Sequence, residues 1–292
     1  MSILSGLESL GLGNVEKMEL YEKKDPAQIR GGKQEQNVEA EDFREADFLF
    51  DKSYVCPICD SNFKTKTVRA GKAKMIGSDS DLRPKYEGID VIKYDTVVCP
   101  VCGYSALVRY FKFMTNIQAR LIKEGICTNY RSHSYDGDTY SYDEALERYK
   151  LVLANAIVKN AKPSEKAYIC LKSAWLLRGM IENLPMDVNY VKKKLTYTKD
   201  EEEYLKNAYD GFLTARSSEP FPLCGMDEAT LDYLLAALAT RFQDFKVAER
   251  LISELLSNKN VNPRTKDKTR FLKEELEKKK KELKKAEMEK EE

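Results

Sequence analysis

Two short cysteine motifs constrain the fold of this chain more than any other feature. Cys56-Pro-Ile-Cys59 and Cys99-Pro-Val-Cys102 share one CPxC pattern, and a CxxC turn lets both of its sulfurs approach a single metal ion. The prolines fix a backbone dihedral after each leading cysteine, and Gly103 suits the positive φ that often follows such a turn. Asp60 holds the matching place in the first turn and tolerates that conformation. The pattern predicts a tetrahedral site with four ligands: Cys56, Cys59, Cys99 and Cys102.

Zinc in a structural role is the favoured occupant of this site. Four protein sulfurs leave no open coordination position for water or substrate, so the ion would hold the fold together rather than react. Iron is the main alternative, because Cys99 to Tyr104 also reads as a rubredoxin-type turn and iron accepts four thiolates. A catalytic dithiol is less favoured, since one pair would suffice for it, and unligated cysteines remain a fourth reading.

The remaining cysteines and the composition indicate a cytoplasmic protein. Cys127, Cys170 and Cys224 are isolated, and an odd total of seven suits reduced thiols better than a disulfide framework. No run approaches the roughly 20 apolar residues of a membrane span, and the start lacks the pattern of a signal peptide. The formal charge of +1 shows no global attraction to membranes or nucleic acids. We therefore expect no membrane partner.

The pattern along the chain predicts an α+β protein in four parts. Residues 1–50 would form a short helix, carried by Ile3, Leu4, Leu7 and Leu10, and an acidic linker. Residues 51–125 would form a zinc-ribbon-like module with an exit helix, residues 140–262 a helical domain, and residues 263–292 a charged C-terminal helix.

Within the module, short runs rich in β-branched residues predict strands over 63–69 and 89–98. The insert between the cysteine pairs would form a hairpin with residues 78–88 at its tip. Apolar residues at helical spacing predict a helix over about 106–124. In the second half, proline breaks and helical spacing predict six helices, over residues 141–160, 164–183, 200–216, 228–241, 245–258 and 264–290.

One helix pair fits the tetratricopeptide repeat, in which small residues let two helices approach each other closely. Ala248 would take the small position of the second helix, Leu235 and Ala236 the large and small positions of the first, and Pro263 follows the pair. Weaker copies centre on Ala145 and Ala208. Their separations are irregular, so the prediction is a degenerate array, with an ordinary helical bundle as the alternative.

A basic run beside the first cysteine pair could contact nucleic acid. It contains five cations and no acid, and aromatic residues lie nearby in the sequence. Lysines that protect an exposed strand edge from aggregation explain the same pattern, and we consider that explanation the better one. The candidate contacts are Lys64, Lys66, Arg69, Lys72 and Lys74. Asp79 and Asp81 form a polar turn nearby that turn chemistry alone can explain.

Taken together, these motifs resemble the bacterial domain of unknown function 2225 family. The resemblance rests on the two CPxC turns, on Ser78-Asp-Ser-Asp81 with Tyr86-Glu-Gly88, and on Ala174-Trp175 with Arg178. It extends over about residues 50–260 and implies a bacterial cytosolic protein with an N-terminal zinc-ribbon-like module and a C-terminal helical repeat region. It implies no reaction. Asp60 departs from the glycine or small polar residue that is commoner at its place.

These observations favour a non-enzymatic adaptor or scaffold whose helical part binds a protein partner. The sequence contains no phosphate-binding glycine loop, no dinucleotide fingerprint, no GxSxG elbow and no HExxH helix. An enzyme is therefore unsupported by any motif. The alternatives are a nucleic-acid-binding protein that uses residues 64–74, and a rubredoxin-like iron electron carrier.

Overall fold

Three antiparallel strand pairs precede a series of seven α-helices in the computed structural model, which describes residues 44–132 and 137–291. The predicted N-terminal helix and most of the acidic linker fall outside these residues. Within them the structure confirms the α+β class, with the strands near the cysteines and the helices after them. The predicted domain boundaries stay a prediction.

Each of the three strand pairs is a separate two-stranded sheet. Strand β1 (Leu49–Val55) pairs with β2 (Asn62–Val68), and the first cysteine turn connects them. Strand β3 (Met75–Ser78) pairs with β4 (Pro84–Tyr86), so the insert does contain a hairpin, but its loop is residues 79–83 and the predicted tip at 78–88 was wrong, since Pro84–Tyr86 forms a strand. Strand β5 (Thr96–Val98) pairs with β6 (Ser105–Leu107) around the second cysteine turn.

The helices follow the strands in chain order. Their bounds are α1 Asn116–Ile122, α2 Tyr142–Val158, α3 Pro163–Glu182, α4 Tyr190–Ser218, α5 Glu228–Arg241, α6 Phe245–Ser257 and α7 Pro263–Glu291. A single π-helical turn, Lys123–Cys127, extends α1. Ser141 caps α2 by accepting a hydrogen bond from Glu144 N–H, and Pro163 begins α3, as helix start signals require. No described helix is both long and apolar enough to cross a membrane.

Three other sequence-based predictions of secondary structure were wrong in part. The helix over 106–124 begins only at Asn116, because Ser105–Leu107 pairs with β5 instead. The strand over 89–98 is a 3₁₀ turn at Val91–Tyr94 followed by a three-residue strand. Helix α4 begins at Tyr190, ten residues before the predicted start at position 200. The prediction was late because the first turns are largely exposed and contain no buried apolar stripe. Strand β1 had not been predicted.

The main hydrophobic core lies among the helices and contains Trp175, which is 5% exposed, as expected of a core anchor. Leu235, Ala236 and Ala248 are also fully buried there. Three residues connect α5 to α6, so the two helices form a hairpin. This arrangement suits the tetratricopeptide pattern, and whether these helices form a repeat array stays a hypothesis.

Helix α2 fastens the cysteine-bearing strands to the helices. Arg148 is 3% exposed, and its guanidinium donates hydrogen bonds to the Thr96 carbonyl at 2.9 Å and to the Thr65 hydroxyl at 3.1 Å. Two helical turns further on, the buried Asn155 amide donates to the Gly103 carbonyl at 3.2 Å and to the Ser105 hydroxyl at 2.8 Å. Both cysteine turns therefore rest on strands that α2 holds in place.

Candidate metal centre

The first cysteine turn folds back on itself through two backbone hydrogen bonds. The Cys56 N–H donates to the Ser61 carbonyl at 3.0 Å, and the Asp60 N–H donates to the Cys56 carbonyl at 3.0 Å. Asp60 has a φ of 58°, a left-handed conformation that aspartate adopts more readily than most residues. The Ser61 hydroxyl lies 3.2 Å from the Cys59 sulfur. The turn thus presents both sulfurs from the end of the β1–β2 hairpin.

The second turn repeats this backbone arrangement. The Cys99 N–H donates to the Tyr104 carbonyl at 2.9 Å, and the Gly103 N–H donates to the Cys99 carbonyl at 3.0 Å. Gly103 has a φ of 74°, the conformation predicted for it from the sequence. The two turns are therefore structural copies, formed at the tips of the β1–β2 and β5–β6 hairpins.

The two hairpin tips bring the four predicted ligands together. The sulfurs of Cys56 and Cys102 are 3.6 Å apart, those of Cys59 and Cys99 are 3.7 Å apart, and all four sulfurs lie within 4.8 Å of one another. A regular tetrahedron with a metal–sulfur distance of about 2.3 Å has edges of about 3.8 Å. The donor set fits one tetrahedral metal ion of the zinc or iron type, and among the residues that the structure describes it consists of sulfur alone.

The electrostatics of the cluster also suit a cation. Hydrogen bonds from the Cys102 and Cys56 thiols hold the pKa of Cys99 far below its usual value, while hydrogen bonding with Cys56 raises the pKa of Cys102. The Cys99 thiol therefore ionises easily, while Cys56 and Cys102, whose pKa values are raised, keep their protons. A divalent ion replaces those protons and stabilises all four sulfurs as thiolates.

An aromatic cluster covers the site on the protein side. The Tyr104 ring lies 5.0 Å from Phe111 and its hydroxyl donates to the Phe111 carbonyl at 3.0 Å. Tyr54 packs edge-on to Phe111 at 5.5 Å between ring centroids. Three of the ligands, Cys56, Cys99 and Cys102, are buried. Metal–thiolate bonds inside this apolar shell are shielded from water and ligand exchange.

Cys127 is a fifth thiol near the cluster that sequence reasoning missed. It ends the π-helical turn after α1, and its side chain interacts with the Cys102 thiol. Burial raises the pKa of Cys127, so it stays a neutral thiol beside the four ligands. Its position 25 residues after Cys102 matches no ligand spacing, and only the tertiary fold brings it close. A tetrahedral ion has no place for it, and we treat it as part of the surrounding shell.

Substituting Gly103 by alanine should weaken the site. The positive φ already disfavours a side chain, and a Cβ at this position would lie 2.4 Å from two ring atoms of Tyr130. We expect a loss of roughly 1–3 kcal/mol of unfolding free energy, measured by urea denaturation, together with weaker metal retention. Gly77→Ala is the control, because nothing lies within 4 Å of its Cβ position. Equal stability of the two variants would contradict this account of the turn.

The basic run predicted to contact nucleic acid lies along β2 and the loop that follows. Lys64 is exposed, and Lys66 stands opposite Asp51 in the β1–β2 register. The Arg69 guanidinium lies over the Phe50 ring, and Lys74 pairs with Glu87 at 3.6 Å. These local contacts agree with a solvated strand edge. Nucleic-acid binding by this run stays a prediction.

In the polar turn, the carboxylates of Asp79 and Asp81 accept hydrogen bonds from an arginine of α3. Arg178 donates to Asp79 at 3.0 Å, to both oxygens of Asp81 at 3.0 and 2.7 Å, and to Glu201 of α4 at 2.8 Å. Arg83 forms a second bridge, with two bonds of 2.9 Å to Glu182. These carboxylates therefore join the β3–β4 hairpin to the helices, as turn and packing residues.

A family model described as an uncharacterized protein conserved in bacteria, DUF2225, matches residues 49–276 of the chain. The match begins with β1 and includes both cysteine turns, the hairpin between them and the helices as far as the middle of α7. Neither the curated proteins nor the solved structures give a match. Because the match extends over most of its length, the chain belongs to this bacterial family of uncharacterised proteins, the domain of unknown function 2225 family.

Proposed function

We propose that this protein is a non-enzymatic cytoplasmic scaffold, in which a structural zinc ion fixes the cysteine module and the helices bind a protein partner. The observation that carries the proposal is a cleft of about 700 Å³ between α2, α3 and α4. The other features support it indirectly: the metal ligands form a closed set, and the polar turn at Asp79 and Asp81 is filled by Arg178.

The proposed zinc follows from the chemistry of the four ligands. Four thiolates suit zinc and iron alike, and zinc is the usual ion of closed structural sites. All seven cysteines are described and carry free thiols, which supports a reducing compartment. With four protein ligands, the ion supplies folding energy and leaves no position for a substrate.

The cleft has the features of a groove for a partner helix. Its floor is apolar and includes Leu153, Ala167 and Tyr204. Lysines of α2 and α3 line one wall, Lys150 and Lys166, and acids of α4 line the other, Asp200, Glu203 and Asp210. An amphipathic helix places an apolar stripe between polar edges, so it complements a groove of this form. Ile157 stands at the edge of the cleft with 57% of its surface exposed.

Placing a charge at the cleft edge should abolish partner binding without unfolding the protein. Ile157→Asp adds a carboxylate where a partner would bury apolar surface, and the exposed position makes little demand on the core. We expect at least about a tenfold loss of the proteins that immobilised full-length wild type retains from a nuclease-treated bacterial lysate.

Ile117→Asp on α1 is the matched control, since Ile117 is 66% exposed and does not line the cleft. It should retain the same proteins as the wild type. Equal retention by Ile157→Asp and Ile117→Asp would show that the cleft is not the binding surface, and loss of all retention after nuclease treatment would favour the nucleic-acid alternative.

A further inference from the structure

We propose that the tip formed by the α3–α4 loop and the first turns of α4 docks on the surface of anionic phospholipid membranes. This inference is independent of the proposed partner cleft. It revises the expectation of no membrane partner, which rested on net charge and on spanning segments rather than on local surface.

The tip exposes four large apolar side chains within ten residues. Met186 is 84% exposed, Val188 101%, Val191 77% and Leu195 72%. The first fully buried residue of α4 is Glu201, about three turns into the helix, and before it Tyr197 packs against the core while only partly buried. Apolar residues concentrated on a projecting segment indicate an interaction surface rather than ordinary scattered exposure.

Lysines flank this apolar surface on both sides. At about 100° per residue, Val191 and Leu195 lie about 40° apart around α4, Lys194 about 60° before them and Lys192 about 60° beyond them. Lys199 lies near Lys192 on the same side. Residues 183–199 contain four lysines and one acid, a formal charge of +3. That acid, Asp187, is paired with Lys193 at 3.1 Å. An apolar stripe between lysines is the arrangement of helices that lie in a membrane interface.

The form of the tip favours lipid over a folded partner. Val188 is completely exposed just before α4, so its side chain protrudes, and a protein partner would need a matching hollow lined with acids. A fluid bilayer deforms around protruding side chains, while its anionic head groups attract the flanking lysines. Tyr190 is half-buried beside them and contacts Lys194, and tyrosine is a residue type enriched at membrane interfaces.

The test is flotation of full-length protein with vesicles of phosphatidylglycerol and phosphatidylcholine, compared with phosphatidylcholine alone. The wild type should float only with the anionic vesicles, and less as salt is added. Lys192→Gln, Lys194→Gln and Lys199→Gln together should weaken vesicle binding by roughly 100-fold, and Val191→Ser with Leu195→Ser by at least about tenfold.

A matched control removes three exposed lysines of α7, by Lys273→Gln, Lys281→Gln and Lys284→Gln, and should float like the wild type. Thermal unfolding of every variant checks that the fold is kept. Absence of flotation, equal flotation with both lipids, or an equal loss in the α7 control would overturn the proposal. Lysine-dependent binding to polyglutamate without binding to vesicles would also overturn it, and would assign the tip to an acidic protein. A change of oligomeric state in the Val191 and Leu195 variant would overturn it too, and would assign the tip to a second copy of the chain.

Discussion

Replacing Cys99 by serine is expected to unfold the cysteine module and to remove its metal. A structural zinc site contributes about 10–16 kcal/mol of apparent binding free energy, which is comparable to the whole 5–15 kcal/mol that stabilises a typical domain. Serine lacks the thiolate, and the three remaining cysteines do not complete the tetrahedron. Near-ultraviolet circular dichroism should show loss of fixed packing around Tyr54, Tyr104 and Phe111, the aromatic cluster over the site.

Cys127→Ser is the matched control for that experiment. Cys127 lies beside the four ligands and interacts with Cys102, yet it is outside the set of sulfurs that surround one point. The variant should keep its metal and its near-ultraviolet spectrum. A strong chelator added to the wild type should reproduce the Cys99→Ser spectrum, which guards against a variant that fails to express. A folded Cys99→Ser protein with unchanged stability would show that the ion is dispensable.

Replacing Arg178 by methionine is expected to cost about 3–5 kcal/mol of unfolding free energy, because it leaves the buried Asp81 carboxylate without a cation, whereas Glu201 keeps Arg241 at 3.3 Å. Asp81 and Glu201 have side chains that are 9% and 6% exposed, and both bond the Arg178 guanidinium. Their attraction raises the pKa of Arg178 despite the opposing effect of burial, so the arginine stays charged. Urea denaturation of the two proteins measures the difference.

Arg270→Met provides the comparison for an exposed arginine. Arg270 pairs with Asp267 on α7, and the two side chains are 63% and 60% exposed. Its loss should change the unfolding free energy by no more than about 0.5 kcal/mol, as for most surface positions. Similar effects of the two substitutions would mean that the carboxylates around Arg178 are hydrated or protonated, and that the hairpin is held by other contacts.

The metal ligands could be predicted from sequence because their geometry is local. Each CPxC turn fixes the relative position of its two sulfurs within four residues, and the two similar turns imply a shared ion. Cys127 carried no such signal. It approaches the cluster only because α1 and its π-helical turn pack there, and no spacing rule describes that contact.

The ionic contacts of the insert could be predicted only in part. Turn chemistry accounted for Asp79 and Asp81, but their partner Arg178 is about a hundred residues further along the chain. Charge pairing over such a distance depends on how the hairpin docks against α3. The sequence showed which charged residues the turn contains, but it could not predict which cation pairs with them.

Helices and strands could likewise be predicted where their cause is local, and were missed where the cause lies in distant parts of the chain. Helices with a buried apolar face, such as α5, were predicted with their observed bounds. The run Ala106 to Phe111 has apolar residues at helical spacing, yet its first residues join a strand because β5 lies beside them. The start of α4 was missed because full burial, the cause of the periodic pattern, begins only at Glu201.

Elemental analysis of the purified full-length protein tests the central claim most directly. The account predicts a colourless protein with one zinc ion per chain, bound by Cys56, Cys59, Cys99 and Cys102, and none in Cys99→Ser. A red protein with one iron per chain would establish the rubredoxin-like alternative. A stably folded wild type without any metal would contradict the claim that the four cysteines hold a structural ion.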